Sequence, residues 1–233
     1  MKKGMLFLSG VLGLSMIVLV LLMMVYIGHS GEPSHDESAG QENTTEQGVY
    51  LVTLPKEIQL PKWAEEFKDT ITEDLLPVNP YSRPGKQLDE VNAVVIHYVG
   101  NPGTTAAQNR SYFENIIETK EASVSSHFIV GLEGEIIQCV PLDEISYASN
   151  NRNEDTIAIE CCHPDETGEF NAATYDSAVK LTAYLCILYN LDPDTDVIRH
   201  YDVTGKECPK YFVDYENQWN LFKAQVKRQM GEK

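Results

Sequence analysis

This chain of 233 residues is poor in basic charge: 18 Lys and Arg stand against 35 Asp and Glu, a formal net charge of −17. Proteins that bind nucleic acid need a basic face, so the composition argues against that class of partner. It also argues against a domain that lies on anionic lipid, since the basic pair Lys2 and Lys3 precedes the apolar N-terminal segment. Solubility is a sufficient reason for the acidity itself.

Cysteine is scarce and odd in number, which excludes a complete disulfide framework. Adjacent strand residues face opposite sides of a sheet, so we expect no bridge between Cys161 and Cys162. Cys186 lies in an apolar helical pattern typical of core packing. A metal ion would account for Cys208, and the other four cysteines could form disulfides or remain buried thiols. The five are Cys139, Cys161, Cys162, Cys186 and Cys208.

Charge is absent from residues 5–27, an apolar run in which only Gly and Ser intervene. About 20 apolar residues span a bilayer, and the preceding lysines favour an inside N-terminus. We predict a transmembrane signal-anchor at residues 1–27, and thus a single-pass protein of the cell membrane whose remainder is extracytoplasmic. A cleavable signal peptide is the alternative, although its apolar core is usually only about 7–15 residues long.

Large apolar residues are almost missing from residues 28–48, which we predict to be a disordered linker. Residues 49–91 form a predicted N-terminal arm that packs against the main domain. Within the arm, Trp63, Phe67 and Ile71 recur at helical spacing and predict a helix over residues 61–74. No feature of the chain indicates an oligomer, and we expect a monomer.

The main domain, residues 92–233, lacks both the Rossmann glycines and any internal repeat. Its strands and helices alternate, which predicts an α/β fold with a central mixed β-sheet flanked by helices. Thr174 is the expected N-cap of the central helix. Strands are predicted at 92–98, 127–130, 135–140, 156–162 and 197–200, and helices at 104–117, 174–190 and 213–230.

Three soft ligands lie where this fold could bring them together. His97 and His200 are near the ends of two predicted strands, and Cys208 follows on a loop through Gly205. Two His and one Cys suit a tetrahedral zinc whose fourth position is open to water. A single His is more often structural, so the prediction of a zinc site at the sheet rim depends on the three residues jointly.

Glu160 and Lys206 are the other candidates. A carboxylate in the apolar strand that carries Glu160 is costly unless it is paired or functional. It could accept a proton from a zinc-activated water, or it could simply pair with a Lys or Arg. Lys206 could stabilise an oxyanion, or it could be a solvated loop residue.

Five blocks of sequence follow one another in an order and spacing that resemble a known family. The resemblance is to zinc-dependent N-acetylmuramoyl-L-alanine amidases of type 2, which are related to phage lysozyme-type amidases and to peptidoglycan recognition proteins. It covers roughly residues 92–212, and five ordered blocks make a chance match improbable. The blocks are Asn-Ala-Val-Val-Ile-His (92–97), Ser-Ser-His-Phe (125–128), Glu-Gly-Glu-Ile-Ile-Gln (133–138), Thr-Ile-Ala-Ile-Glu (156–160) and residues 200–209.

The resemblance implies a role for each candidate residue. His97, His200 and Cys208 match the zinc ligands, Glu160 the general base and Lys206 the residue that assists the transition state. The implied reaction is hydrolysis of the amide between the lactyl group of N-acetylmuramic acid and L-alanine of the peptidoglycan stem, by zinc-activated water.

The chain also departs from the family. Many relatives carry Trp-His-Ala-Gly where this chain has Ser146 to Ser149, and His127 is expected to be structural. Asn150, Asn151 and Arg152 could bind stem peptide or form a turn. Two other functions compete with the amidase: a non-catalytic muropeptide receptor, and a Cys-His hydrolase whose thiolate attacks directly.

Overall fold

The computed structural model describes residues 59–231, which all belong to one compact unit, Pro55–Lys233. The predicted signal-anchor at 1–27, the linker at 28–48 and the start of the arm lie outside the described residues. Among residues 59–231, no helix combines the length and the apolar character needed to cross a bilayer.

Strands and helices alternate along the described chain, as the sequence predicts. The strands are β1 (Thr72–Glu73), β2 (Ala93–Tyr98), β3 (Phe128–Val130), β4 (Ile136–Gln138), β5 (Thr156–Cys161) and β6 (Val197–Arg199). The helices are α1 (Lys62–Lys68), α2 (Ala106–Thr119), α3 (Ala172–Tyr189), α4 (His200–Thr204), α5 (Lys210–Asp214) and α6 (Glu216–Met230), and a 3₁₀ turn covers Asn150–Arg152.

The six strands form one mixed sheet in the order β1-β4-β3-β5-β2-β6. Its pairs are parallel except for the β3–β4 hairpin, which is antiparallel. Mixed pairing with helical crossovers confirms the predicted α/β class. In the register of β2 against β5, His97 lies opposite Glu160.

Helices cover both faces of this sheet, and the two faces have separate apolar clusters. Helices α3 and α6 pack on one face, where Ile96, Ile159 and Cys161 are buried. Helix α2 packs on the other face, where Ile129 and Cys162 are buried. The two adjacent cysteines therefore face opposite sides, and all five cysteines are free thiols.

Three of the boundaries predicted for the main domain show what decides where an element begins or ends. Helix α3 begins at Ala172, because Asn171 and not Thr174 is its N-cap; the Thr174 hydroxyl instead donates to the carbonyl of Gly131. The predicted strand 197–200 ends at Arg199, and His200 opens α4. The predicted final helix is split into α5 and α6 by the non-helical backbone of Tyr215.

The arm is joined to the sheet more closely than its helical pattern indicates. The predicted helix 61–74 ends at Lys68, and two residues of the remainder become β1, which pairs in parallel with β4. The side chains of Trp63, Phe67 and Ile71 pack against the α3–α6 cluster. Residues 62–73 thus add a helix and an edge strand to the main domain.

Candidate metal centre and active site

Two histidines meet at one edge of the sheet because their strands are parallel neighbours. His97 is near the end of β2, and His200 follows the last residue of β6. The carboxyl ends of parallel strands lie at the same edge, so the two rings come together with their centroids 4.6 Å apart. Both side chains are buried.

Cys208 reaches the two histidines because the chain reverses after α4. That helix ends at Gly205 in the left-handed conformation, with φ +76°, which glycine adopts without a steric penalty. The returning loop is fixed when the amide of Tyr201 donates to the carbonyl of Cys208 over 2.8 Å. Cys208 Sγ then lies 3.9 Å from His97 Nδ1, and the three ligand atoms are all within 4.8 Å of one another.

This donor set fits a zinc ion. In a tetrahedral site with Zn–N near 2.0 Å and Zn–S near 2.3 Å, the nitrogen and sulfur are ~3.5 Å apart, close to the 3.9 Å between His97 Nδ1 and Cys208 Sγ. Burial holds the pKa of His97 well below its ordinary value, and it also lowers that of His200, so both rings are neutral ligands. Burial raises the pKa of Cys208 to about 12, so its thiolate needs a metal for stabilisation.

Glu160 is beside this cluster on the next strand. Its Oε1 lies 4.0 Å from His97 Nδ1, and its Oε2 is buried without a hydrogen-bond partner among the described residues. Desolvation raises the pKa of this carboxyl to about 8, with the charge of Lys206 acting in the opposite direction. The predicted alternative, a Glu neutralised by a Lys or Arg contact, does not occur within residues 59–231.

Lys206 is an exposed residue of the loop between His200 and Cys208, and it faces the same cleft. No described carboxylate forms an ion pair with its ammonium group. From its place in this cleft its charge lowers the pKa of His97, His200 and Glu160. A cation so placed can stabilise negative charge that develops beside the cluster.

The cluster lines an open cleft of about 630 Å³. Polar amides and aromatic rings predominate along its walls, a composition suited to a peptide or sugar ligand. Besides the five candidate residues, the walls include Tyr98, Asn101, Asn109, Tyr112, Phe113, Ser123, Tyr147, Asn150 and Asn153. Most of these residues carry no sequence motif and were missed by sequence reasoning, because their only common feature is that the fold brings them together.

The remaining histidines of the described chain are not in the cleft. His127 is fully buried, and its ring contacts Glu144, Ser146 and the amide of Ala158, as expected of a structural residue. His163 follows β5 and is buried between the carbonyls of Val99 and Asp165. Neither adds a ligand to the metal site.

The 3₁₀ turn after the hairpin gives different roles to two of the three polar residues predicted there, while Asn151 is exposed. Asn150 lines the cleft and contacts His200. Arg152 instead pairs with Asp155 over 2.7 Å at the start of β5. The turn role is therefore seen for Arg152, and Asn150 has a place beside the candidate metal ligands.

Comparisons with known proteins agree with this geometry. A family model described as N-acetylmuramoyl-L-alanine amidase matches residues 87–211. The N-acetylmuramoyl-L-alanine amidase BlyA of Bacillus subtilis strain 168 is 33% identical over 182 residues, which cover 70% of this chain and 48% of that protein. The corresponding enzyme CwlL of Bacillus licheniformis is 31% identical, with 70% and 48% covered. The chain thus spans about half the length of the curated relatives it matches.

Solved structures show the same fold. A mutant endolysin from Bacillus subtilis is 29% identical, with a TM-score of 0.57 over 67% of this chain and 97% of that one. The catalytic domain of XlyA is 29% identical, with a TM-score of 0.56 over 67% and 98%.

Proposed function

The chain belongs to the N-acetylmuramoyl-L-alanine amidase family, and we propose that it is a zinc-dependent peptidoglycan hydrolase. The bond cleaved is the amide between the lactyl group of N-acetylmuramic acid and L-alanine of the stem peptide. One observation carries the proposal: a buried His–His–Cys set and a carboxyl whose Oε2 has no hydrogen-bond partner among the described residues line one cleft.

His97, His200 and Cys208 would hold the metal. A bound zinc supplies a Lewis acid and an acidified water at its open fourth position. The positive charges of Lys206 and of a bound metal would favour the ionised form of Glu160 over the neutral acid that burial favours. In that form Oε2, which has no hydrogen-bond partner among the described residues, can take a proton from the attacking water. The same carboxyl then returns the proton to the departing amine of L-alanine, and Lys206 stabilises the oxyanion.

A muropeptide receptor that binds without cutting is the second candidate. The cleft alone would serve such a receptor, but burying a carboxyl oxygen without a protein partner is costly, and a role in proton transfer accounts for that cost. Retention of Cys208 beside Glu160 therefore favours catalysis.

Direct attack by a Cys208 thiolate is poorly supported. Reactive cysteines have a lowered pKa and partial exposure, whereas Cys208 is buried and burial raises its pKa to about 12.

The site of action is proposed from the N-terminal sequence. Residues 5–27 would anchor the chain in the cell membrane, residues 28–48 would tether it, and residues 49–91 would form the arm of an extracytoplasmic, monomeric enzyme. Such an arrangement keeps the amidase within the tether's reach of the wall.

Mass analysis of peptidoglycan digested by the zinc-loaded chain tests the function directly. We expect free stem peptides that begin with L-alanine, and glycan strands that retain the lactyl group. Chelation should abolish their release, and zinc should restore it. The matched control is Glu160→Gln, which keeps the shape of the side chain but cannot take up the proton.

For Glu160→Gln we expect zinc content close to one per chain and turnover lower by about 10²- to 10⁴-fold, the usual contribution of a general base. Intact glycan–peptide linkages after digestion with zinc-loaded wild-type protein would defeat the enzyme assignment. Unchanged turnover in Glu160→Gln would remove Glu160 from its role.

A further inference from the structure

Two consecutive residues, Ser149 and Asn150, contact the outer nitrogens of the two histidines. His97 Nε2 lies 3.3 Å from Ser149 Oγ, and His200 Nε2 lies 3.1 Å from Asn150 Oδ1. Each histidine ring thus has one contact with this short turn, and the two contacts are made by neighbouring residues of the turn. One turn therefore touches both candidate ligand rings, and in His97 it does so at the nitrogen opposite the one that faces Cys208 Sγ.

The contact with Asn150 selects one tautomer of the His200 ring. An amide oxygen only accepts hydrogen bonds, so Nε2 of His200 carries the hydrogen and donates it to Asn150 Oδ1. The lone pair is then on Nδ1. In His97, Nδ1 is the nitrogen that faces Cys208 Sγ at 3.9 Å, while Nε2 is directed to Ser149.

The turn that carries Ser149 and Asn150 is itself held firmly. Asn153 Oδ1 accepts the backbone amides of Ala148 and Ser149, at 3.1 and 2.6 Å. The hydroxyl of Thr156, the first residue of β5, donates to the carbonyl of Arg152 over 2.6 Å. The turn is thus attached to the strand that carries Glu160.

Asn150 has a backbone conformation that few other residues tolerate. Its φ is +54°, in the left-handed region where Asn, Asp and Gly are favoured. Asparagine is one of the few side chains that can adopt this conformation and also present an acceptor to a ring nearby.

We propose that Ser149 and Asn150 are positioning residues that hold His97 and His200 in the Nε2–H tautomer and aim their Nδ1 atoms at the metal. The inference rests on the proposed function only through its His–His–Cys metal site. Partners of this kind typically change metal affinity about 10- to 100-fold when they are removed. Neither residue is required to touch the substrate.

Three variants and two matched controls test this role in the full-length chain. Asn150→Gly removes the side chain without straining the backbone, and Asn150→Asp restores an acceptor. Ser149→Ala removes the other contact. Ser146→Ala is its control, because Ser146 is equally buried and contacts His127, which lies outside the metal site.

The control for the glycine substitution is Asn190→Gly. Asn190 caps α3 with the same φ of +54° and is not part of the cleft, so it reports the backbone effect alone.

The first measurement is zinc affinity, obtained by competition with a chromophoric chelator. We expect Asn150→Gly and Ser149→Ala to weaken zinc binding by about 10- to 100-fold. The zinc affinity of Asn150→Asp should be within about threefold of that of wild type, or higher. Ser146→Ala and Asn190→Gly should bind zinc like wild type even where they unfold more easily. A simple loss of stability would not separate the variants in this way.

The second measurement is the ring tautomer in the metal-free chain, from long-range ¹H–¹⁵N correlation spectra. Wild type should show the Nε2–H form of His200, and Asn150→Gly should show a mixture of the two forms. If Asn150→Gly does not fold, the pair Ser149→Ala and Ser146→Ala decides the question.

Unchanged zinc affinity in Asn150→Gly and Ser149→Ala would overturn the proposal, as would equal losses in the two controls. A rise in KM alone would identify Asn150 as a substrate contact and would equally overturn it. A wild-type chain that binds zinc but leaves peptidoglycan uncut would defeat the proposed function. The zinc affinities of the variants would still test the positioning role, because they do not depend on activity.

Discussion

The buried ring of His127 contacts Glu144 and Ala158, and its titration should make the stability of the fold depend on pH. Its ring is fully buried, Nδ1 accepts the amide of Ala158 over 3.0 Å, and Nε2 donates to the carbonyl of Glu144 over 2.9 Å. A protonated ring would set a second N–H against the amide of Ala158. The fold therefore requires the neutral form, and desolvation lowers the pKa of His127 to about 4.

The expected loss of stability follows from that value. The unfolded chain takes up a proton on this ring below pH 6.5, while the folded chain does so only near pH 4. Between these values the unfolded state binds more protons, so acidification favours unfolding. At about 1.4 kcal/mol per pKa unit, the ring contributes about 3 kcal/mol of stability above pH 6.5 that is lost by pH 4.

Urea unfolding of wild type and His127→Asn, at several values between pH 7 and pH 4, isolates this contribution from other titrating groups. Asparagine keeps an acceptor for Ala158 but does not titrate. The variant should be less stable than wild type at pH 7. The difference between their free energies of unfolding should decrease by about 3 kcal/mol towards pH 4. Parallel stability curves, or a ring that titrates near pH 6.5 in NMR spectra, would refute the reasoning.

Three further outcomes are expected. Lys206→Gln should lower kcat about 10²- to 10³-fold at unchanged zinc content, measured by stem-peptide release, because it removes the cation beside the reacting centre. Cys208→Asp should keep a zinc ligand and a chelator-sensitive residual activity, whereas complete loss of activity at full zinc content would favour a thiolate nucleophile. Gly134→Ala should cost about 1–3 kcal/mol in urea unfolding, since φ is +83° and the new Cβ would lie 2.9 Å from Ser177 Oγ. Gly100→Ala, which meets nothing within 4 Å, is its control and should be close to neutral.

The elements of the fold could be predicted where one local pattern dominates. The apolar runs of β2 and β5 are typical of buried strands, and the glycines between β3 and β4 predict the turn of a hairpin. Boundaries were missed where a tertiary contact decides them. Thr174 could cap a helix by its chemistry, but its hydroxyl is taken by the carbonyl of Gly131, 43 residues away in sequence.

The arm shows the same limit in a different way. The helical spacing of Trp63, Phe67 and Ile71 is correct as a record of which side chains face the core. Only α1 is helical, because β4 offers a free edge to which Thr72 and Glu73 can pair. The pairing partner β4 lies far away in sequence, so the spacing of residues within the arm cannot predict this strand.

The candidate metal ligands could be singled out from sequence because their chemistry is rare and their order distinctive. His97, His200 and Cys208 stand out as soft ligands near strand ends, and Glu160 stands out as a charge in an apolar strand. By contrast, Ser149 and Asn150 are ordinary turn residues by type. Their contacts to the two rings depend on where the turn is held by Asn153 and β5.

By itself the sequence determined the kinds of chemical group available, the alternation of strands and helices, and the family to which the chain belongs. Only the tertiary structure decided that His97 and Glu160 lie opposite each other on neighbouring strands, that Glu160 Oε2 has no partner, and that one turn contacts both histidines. The reason is physical. Residue types and periodicity are local properties, whereas register, burial and the pKa of a carboxyl depend on which distant segments pack around it.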